Sequence, residues 1–353
     1  MVTFAGFEMP VSYSGIIEEH NAVRNRAGIF DVSHMGEFIV SGPGTFEYLD
    51  RVVTNHCSKL PPDGVVYTVM CRDNGTVVDD LLVSRLGDDR ALVVVNAANI
   101  DKDYRHMASL LPAEGVDLEN KSDDYALVAV QGPHSRRVLA ECETFASVRD
   151  RLQEVEYYRY FRAGAGGDEI VVSRTGYTGE LGFEIFVPAA RARAVWDDII
   201  AHGADAGLLP VGLAARDTLR FEASFCLYGN ELDDDTTPLE AGLKWVVKFK
   251  KPDPFVGKES LLAENAKGPN KTLIGLELEG KSIARHGYPV MSGDEVVGRI
   301  TSGTFSPTLS KSLCMAYVDA DRLGGEQSYT VQIRKKQVGA RVVPLPFYAS
   351  RAR

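Results

Sequence analysis

Short stretches of strict apolar–polar alternation, the period of a half-buried strand, exchange along this chain with stretches whose apolar positions recur every three or four residues, the period of a helix. Gly36 to Gly42 reads as a strand, and Pro43 to Val53 has the start signal and spacing of a helix. Tyr67 to Cys71, Val77 to Arg85 and Ala91 to Asn96 read as strands, the last two joined by a Gly-Asp-Asp turn at Gly87 to Asp89. A helix is predicted from Asn99 to Leu111, where Pro112 stops it. Tyr125 to Gln131 is a further strand, and Pro133 opens a helix reaching Cys142, since a first-turn residue has no use for its amide proton.

Tyr157 to Arg162 and Glu169 to Arg174 are expected to pair around the glycine-rich Ala163 to Asp168, and Leu181 to Val187 alternates strictly. Ala192 to Ala204 is amphipathic, with Ala192, Val195 and Ile199 on one face, and Leu213 to Glu222 reads as helical. After residue 250 the pattern changes. Lys248 to Lys251, Pro252 and Pro254 mark a linker, and a short helix is expected near Glu259 to Asn265. Thr272 to Leu278, Glu295 to Thr301, Leu313 to Val318, Tyr329 to Ile333 and Val338 to Val343 then read as strands of a small closed or sandwiched all-β unit.

At 353 residues the chain exceeds one ordinary hydrophobic core, so two or three domains are expected. Hydrophobic residues at 44% and charged residues at 25% exclude a disordered or fibrous protein. The net charge of −10 argues against a nucleic-acid partner, which requires a basic face. No apolar run approaches the roughly 20 residues of a membrane span, and Met1 to Pro10 lacks the basic-then-apolar order of a signal peptide, so a cytoplasmic location is expected. Five scattered cysteines without CxxC spacing and dispersed histidines argue against a disulfide framework and a structural metal. There is no GxxxxGK[ST] or GxSxG element, and Gly164-Ala165-Gly166-Gly167 lies between strands instead of opening a helix, which removes the common nucleotide-binding and serine-hydrolase readings.

Three segments could carry chemistry. In Gly75 to Val83, Asp79 and Asp80 are neighbours on a strand, so they face opposite ways and cannot form a dyad. At least one of them sits among aliphatic neighbours, where desolvation raises its pKa and makes it a better proton acceptor; the bland alternative is an aspartate capping the Asn74-Gly75 turn. In Thr175 to Glu184, the last residue shares a face with Gly182, which would leave room for a flat ligand, and with Phe186, which could border it. A carboxylate there can accept two parallel hydrogen bonds, although a solvated outer-face glutamate fits the pattern equally. Arg216 and Arg220 lie one helical turn apart and offer two cations or, alternatively, a surface salt-bridge ladder. Trp245 suits either a core or a stacked heterocycle, and His34 is read as a satisfied structural histidine.

Asp31-Val32-Ser33-His34-Met35, Val78-Asp79-Asp80-Leu81, Thr175 to Glu184, Ala215 to Arg220, Cys226-Leu227-Tyr228-Gly229-Asn230, Thr236 to Glu240 and Thr301 to Leu309 occur in this order. In this respect the chain resembles the glycine cleavage system T-protein family, the folate-dependent aminomethyltransferases, from Phe4-Ala5-Gly6 to Pro346-Phe347. The resemblance implies an α+β fold, a three-domain cloverleaf around a central folate channel, with two mixed α/β lobes and a C-terminal all-β barrel or jelly-roll-like domain. It implies domain 1 over residues 1–45 and 123–250, domain 2 with Asp80 over 46–122, and domain 3 over 251–353. A short helical segment before the equivalent of Met1 is usual in the family.

By the same resemblance Asp80 is the essential acid/base residue, Glu184 the carboxylate gripping the pterin, and Arg216 an arginine of the ligand site. Tyr67, Met35, Asn96, Tyr177 and Trp245 line or border the folate pocket, while Arg351 and Arg353 contact the folate tail. The implied reaction moves a methylene group from an aminomethyl-lipoyl H-protein to tetrahydrofolate, releasing ammonia and leaving dihydrolipoyl H-protein, with no metal. A monomer that forms transient complexes is expected, with no nucleic-acid or membrane partner. A tetrahydrofolate-dependent O- or S-demethylase and a non-catalytic folate-binding accessory protein stay open as alternatives; the accessory proteins usually carry a Lys-Gly-Cys-Tyr type motif that this chain lacks.

Overall fold

The computed structural model describes residues 1–164, 169–324 and 328–352, so residues 165–168 of the glycine-rich turn and Arg353 lie outside the described residues. Its strands gather into two open sheets and a barrel, besides a small N-terminal hairpin. The first sheet runs in the order Tyr160–Ala163, Ile170–Ser173, Gly182–Pro188, Tyr125–Gln131, Ala27–Asp31 and Leu208–Pro210. The pairing anticipated across the glycine-rich turn is present, with Tyr160 opposite Ser173. One face carries Ile29, Val130, Phe183 and Ile185 against Val195 and Ile199 of helix Ala192–Gly203. The other face presents Phe30, Leu127 and Phe186 to Ile39, Leu92 and Val94 of the second sheet and to Leu219 of helix Leu213–Glu222. Both faces are thus covered, and the alternating strand buries both of its residue sets.

The second sheet has the order Val65–Cys71, Val77–Arg85, Arg90–Val95, Gly36–Ser41 and Asp117–Asn120. Helices Thr45–Val52 and Ile100–Ser109 cover one face through Leu49 and Met107, which pack on Phe38 and Val40. Gly36–Ser41 was expected to fall in the first lobe, before residue 46, yet it pairs with Arg90–Val95 and Asp117–Asn120. Alternation identifies a strand but not its partners, which long-range register selects. The polar Asp117–Asn120 edge strand and helix Ile16–Asn25 carry no strong local pattern and were not anticipated.

The C-terminal region closes into a six-stranded barrel in the order Lys271–Leu278, Lys311–Asp319, Glu295–Ser306, Pro289–Ser292, Tyr329–Ile333 and Lys336–Val343. The connection leading to it is anchored at Lys251, which is buried and donates to the carbonyls of Val53 at 2.6 Å and Asn55 at 2.8 Å. A buried ionic hub joins the first-sheet lobe to the barrel and the C-terminal segment. Arg24 of helix Ile16–Asn25 donates to Glu222 at 2.9 Å and Glu180 at 3.1 Å. Glu222 also accepts from the barrel-side Thr308 hydroxyl at 2.7 Å, and Tyr348 near the C-terminus donates to Glu180 at 2.7 Å. No helix among the described residues is long and apolar enough to cross a membrane.

Candidate active site

Where the two sheets, helix Leu213–Glu222, the following segment and the barrel edge converge, they enclose a cavity of about 1090 Å³. Tyr67, Asp80, Asn96, Glu184, Arg216 and Trp245 line it, as do Met35 and Tyr177. These eight candidate side chains therefore meet at one cavity, although they are spread along the chain from Met35 to Trp245. Arg351 does not line it: its backbone amide donates to the Gly179 carbonyl at 2.6 Å, and its guanidinium lies 5.5 Å from the Tyr348 ring.

The strand Val77–Arg85 turns Asp80 toward this cavity and Asp79 into the protein. Tyr67, on the neighbouring strand, donates its hydroxyl to Asp80 Oδ2 at 2.8 Å, and Asn96 Nδ2 donates to Asp80 Oδ1 at 2.9 Å. Burial, and then the charge of Asp79, push the Asp80 carboxyl up to about 7, while the two hydrogen bonds restrain the rise. An acid tuned to neutrality can both take up and release a proton at physiological pH. Trp245 stacks on Tyr67 with ring centroids 5.8 Å apart, and at 58% exposed it stands at the mouth of the cavity instead of in a core.

Glu184 and Arg216 supply complementary charge. Thr175 donates its hydroxyl to Glu184 Oε2 at 2.5 Å, whereas Oε1 has no protein partner among the described residues. Burial raises the Glu184 carboxyl above its ordinary range, opposed by Thr175 and by the Arg216 cation. The Arg216 guanidinium lies 4.8 Å from the Tyr177 ring and makes no hydrogen bond to protein among the described residues. Both groups thus retain hydrogen-bonding capacity for a ligand.

Two expectations about neighbours are corrected. Gly182 does not open space for a ligand: a Cβ there would lie 2.3 Å from the Gln131 amide, which fills that space from the adjacent strand, and Phe186 belongs to the inter-sheet core. Arg220 does not share the cavity with Arg216. It is buried, ion-paired to Glu231 at 2.7 Å and to Asp217 at 2.8 Å, because its position one turn on points toward the barrel and reaches Ser302.

His34 does line the cavity, and its Nδ1 is buried without a hydrogen-bond partner among the described residues, so it is not the satisfied histidine expected. Burial and the Arg216 charge hold it down to about 3, which keeps the ring neutral. Thr175, Asn99 and Phe225 also belong to the site and were not named individually; the Asn96-x-x-Asn99 spacing was the available signal for Asn99. Away from the cavity, Cys142, Asp198 and His202 bring metal-ligand atoms within 4.8 Å of one another. The Cys142 thiol, however, donates to the Val138 carbonyl, and Asp198 is occupied by Thr144 and His202.

An apolar-walled cavity between lobes, with one near-neutral acid and an unspent carboxylate–guanidinium set, has the make-up of an enzyme site for a polar small molecule. Comparison with known proteins makes this specific. Residues 1–251 match the GCVT N-terminal domain, and residues 271–349 match the glycine cleavage T-protein C-terminal barrel domain. The chain is 46% identical to an aminomethyltransferase of Halothermothrix orenii, over 98% of this chain and 95% of that protein, and 47% identical to one of Thermotoga maritima, over 100% and 95%. Its fold superposes with a TM-score of 0.90 on the glycine cleavage system aminomethyltransferase T of Bartonella henselae, at 31% identity over 99% of this chain and 94% of that one. The chain belongs to the glycine cleavage T-protein family.

Proposed function

We propose that the cavity binds tetrahydrofolate and transfers to it the methylene group of an aminomethyl-lipoyl H-protein, with release of ammonia. The observation that carries this reading is the meeting of Asp80, Glu184 and Arg216 at one cavity. The residues suit the ligand. A pterin edge offers two parallel N–H donors, and Glu184 offers acceptor capacity, with Oε1 unspent. Trp245 and Tyr67 form an aromatic wall at the mouth, fitting an aryl group that leaves the pterin.

The folate supplies the nucleophilic nitrogen. Asp80, held by Tyr67 and Asn96, takes the proton lost from that nitrogen as the first carbon–nitrogen bond forms and returns it to the amine, which leaves as ammonia; the second folate nitrogen then attacks the same carbon, the carbon–sulfur bond breaks, and the proton that nitrogen loses passes to the lipoyl thiolate. Glu184 and Arg216 orient the ring, and the buried walls exclude bulk water from the electrophilic methylene. The products are methylenetetrahydrofolate, ammonia and the dihydrolipoyl form of the partner. The working unit in this proposal is a monomer that meets H-protein transiently.

The test combines the protein with tetrahydrofolate and aminomethyl-loaded H-protein and follows ammonia release. Folate-dependent release supports the assignment. Its absence, together with activity on a small O- or S-methyl compound, would assign the cavity to a demethylase.

A further inference from the structure

Behind Asp80 lies a second pair of acids. Asp79, on a strand, and Asp103, on a helix more than twenty positions on, are each 0% exposed, and they are brought near one another by Asn99, which stands one turn before Asp103 at the start of that helix and donates to Asp79. Asp79 accepts from the Asn96 amide nitrogen at 3.0 Å, from Asn96 Nδ2 at 2.9 Å and from Asn99 Nδ2 at 2.7 Å. No donor among the described residues reaches either oxygen of Asp103. Two neighbouring carboxyl groups out of water do not both ionise, so the pair keeps one proton. Three N–H donors stabilise charge on Asp79 and none does so on Asp103, which places that proton on Asp103.

We propose that Asp103 is a positioning residue for the transfer: as a neutral carboxylic acid it donates to Asp79 and, through the Asn96 amide that Asp79 and Asp80 share, sets the aim of Asp80 and the charge facing it. This rests on the reading of Asp80 as the reacting acid. Asn96 Nδ2 reaches Asp79 Oδ1 and Asp80 Oδ1 at 2.9 Å each, so the three side chains move as a unit. Burial and the Asp79 charge push the Asp103 carboxyl up to about 11, against the opposing pull of Lys102 on the same helix. Lys102 in turn faces Asp234 at 3.7 Å and the Arg72 cation, while Asp80 is the remaining charge on the strand side.

Two variants and one spectrum test the proposal. Asp103→Asn keeps a donor toward Asp79, so its turnover should stay close to wild type and its pH–rate profile should not move. Asp103→Ala removes the donor, so kcat should fall about tenfold or more, the loss expected when a charged group loses one hydrogen bond. The acid limb should also move to higher pH, because the Asp79 charge is then less shared. The wild-type minus Asp103→Asn infrared difference spectrum should isolate one protonated-carboxyl band that stays unchanged across the neutral pH range, apart from the bands of Asp80 and Glu37, which both proteins share. Absence of that band from the difference spectrum overturns the proposal, as does an Asp103→Ala enzyme that loses thermal stability while its acid limb stays in place. The infrared reading needs no turnover, so failure of the transferase assignment and failure of this inference are separable.

Discussion

Replacing Asp80 by asparagine should separate stability from catalysis in a way few substitutions do. The carboxyl moves from an ordinary value of 3.8 to about 7 on folding, because it loses water and feels the charge of the adjacent Asp79. The folded state therefore holds a proton that the unfolded chain has released, and stability declines as pH rises from 4 through 7. At 1.36 kcal/mol per pH unit, a shift of about 3 units opposes folding by up to roughly 4 kcal/mol at pH 8. An asparagine in this place would carry no such penalty; its oxygen can accept from Asn96 Nδ2, and its amide can donate to the Tyr67 oxygen. Asp80→Asn should thus be more stable than wild type above pH 7 and equal to it near pH 4. Turnover should fall about 10²–10⁴-fold, or roughly 3–5 kcal/mol of lost transition-state stabilisation. In wild type, kcat should rise through about pH 7 as the carboxylate forms. Urea titrations at two pH values and ammonia release with loaded H-protein measure both arms. A near-normal rate removes Asp80 from the proton transfer, and a destabilised variant refutes the desolvation argument.

Three other outcomes follow from the same reasoning. Glu184→Gln turns an amide toward a donor edge and should weaken tetrahydrofolate binding about tenfold to a hundredfold, read by titration calorimetry. Glu37→Gln should stabilise the fold by roughly 3 kcal/mol at pH 7: burial alone pushes this 0% exposed carboxyl, which has no partner among the described residues, up to about 9, so wild-type stability falls from pH 4.5 to 9 and the gain vanishes below pH 4.5. Glu222→Ala removes one of the two carboxylates paired with the buried Arg24 cation, Glu180 remaining, and should cost about 3 kcal/mol in urea denaturation; because burial, which alone would raise Glu222, is outweighed by hydrogen bonds with His20, Ser306 and Thr308 that hold it down to about 2, the wild-type contribution persists above pH 4.5 and is lost as pH falls toward 2.

Period and turn chemistry are local properties, and they made most elements legible: the strands Val77–Arg85 and Tyr125–Gln131, the helix Leu213–Glu222 and the run of strands from Lys271 to Val343. They also established that Asp79 and Asp80 face opposite ways, since successive side chains on a strand must. Which of the two meets a ligand was beyond their reach, because alternation is symmetric about the strand. Packing broke that symmetry by bringing Asp103 and Asn99 to one side and leaving the other open to Tyr67 and the cavity. The same distinction explains Gly182, which reads as room for a ligand until Gln131 is seen to occupy it, and Arg220, whose spacing from Arg216 says nothing of the barrel that buries it. Sheet membership of Gly36–Ser41 and closure of the ionic hub at Glu222 depend on contacts between residues distant in sequence. Local sequence thus determined the elements and the direction of each side chain relative to its own backbone. Only the tertiary structure decided what each side chain faces, because that depends on chain brought in from elsewhere.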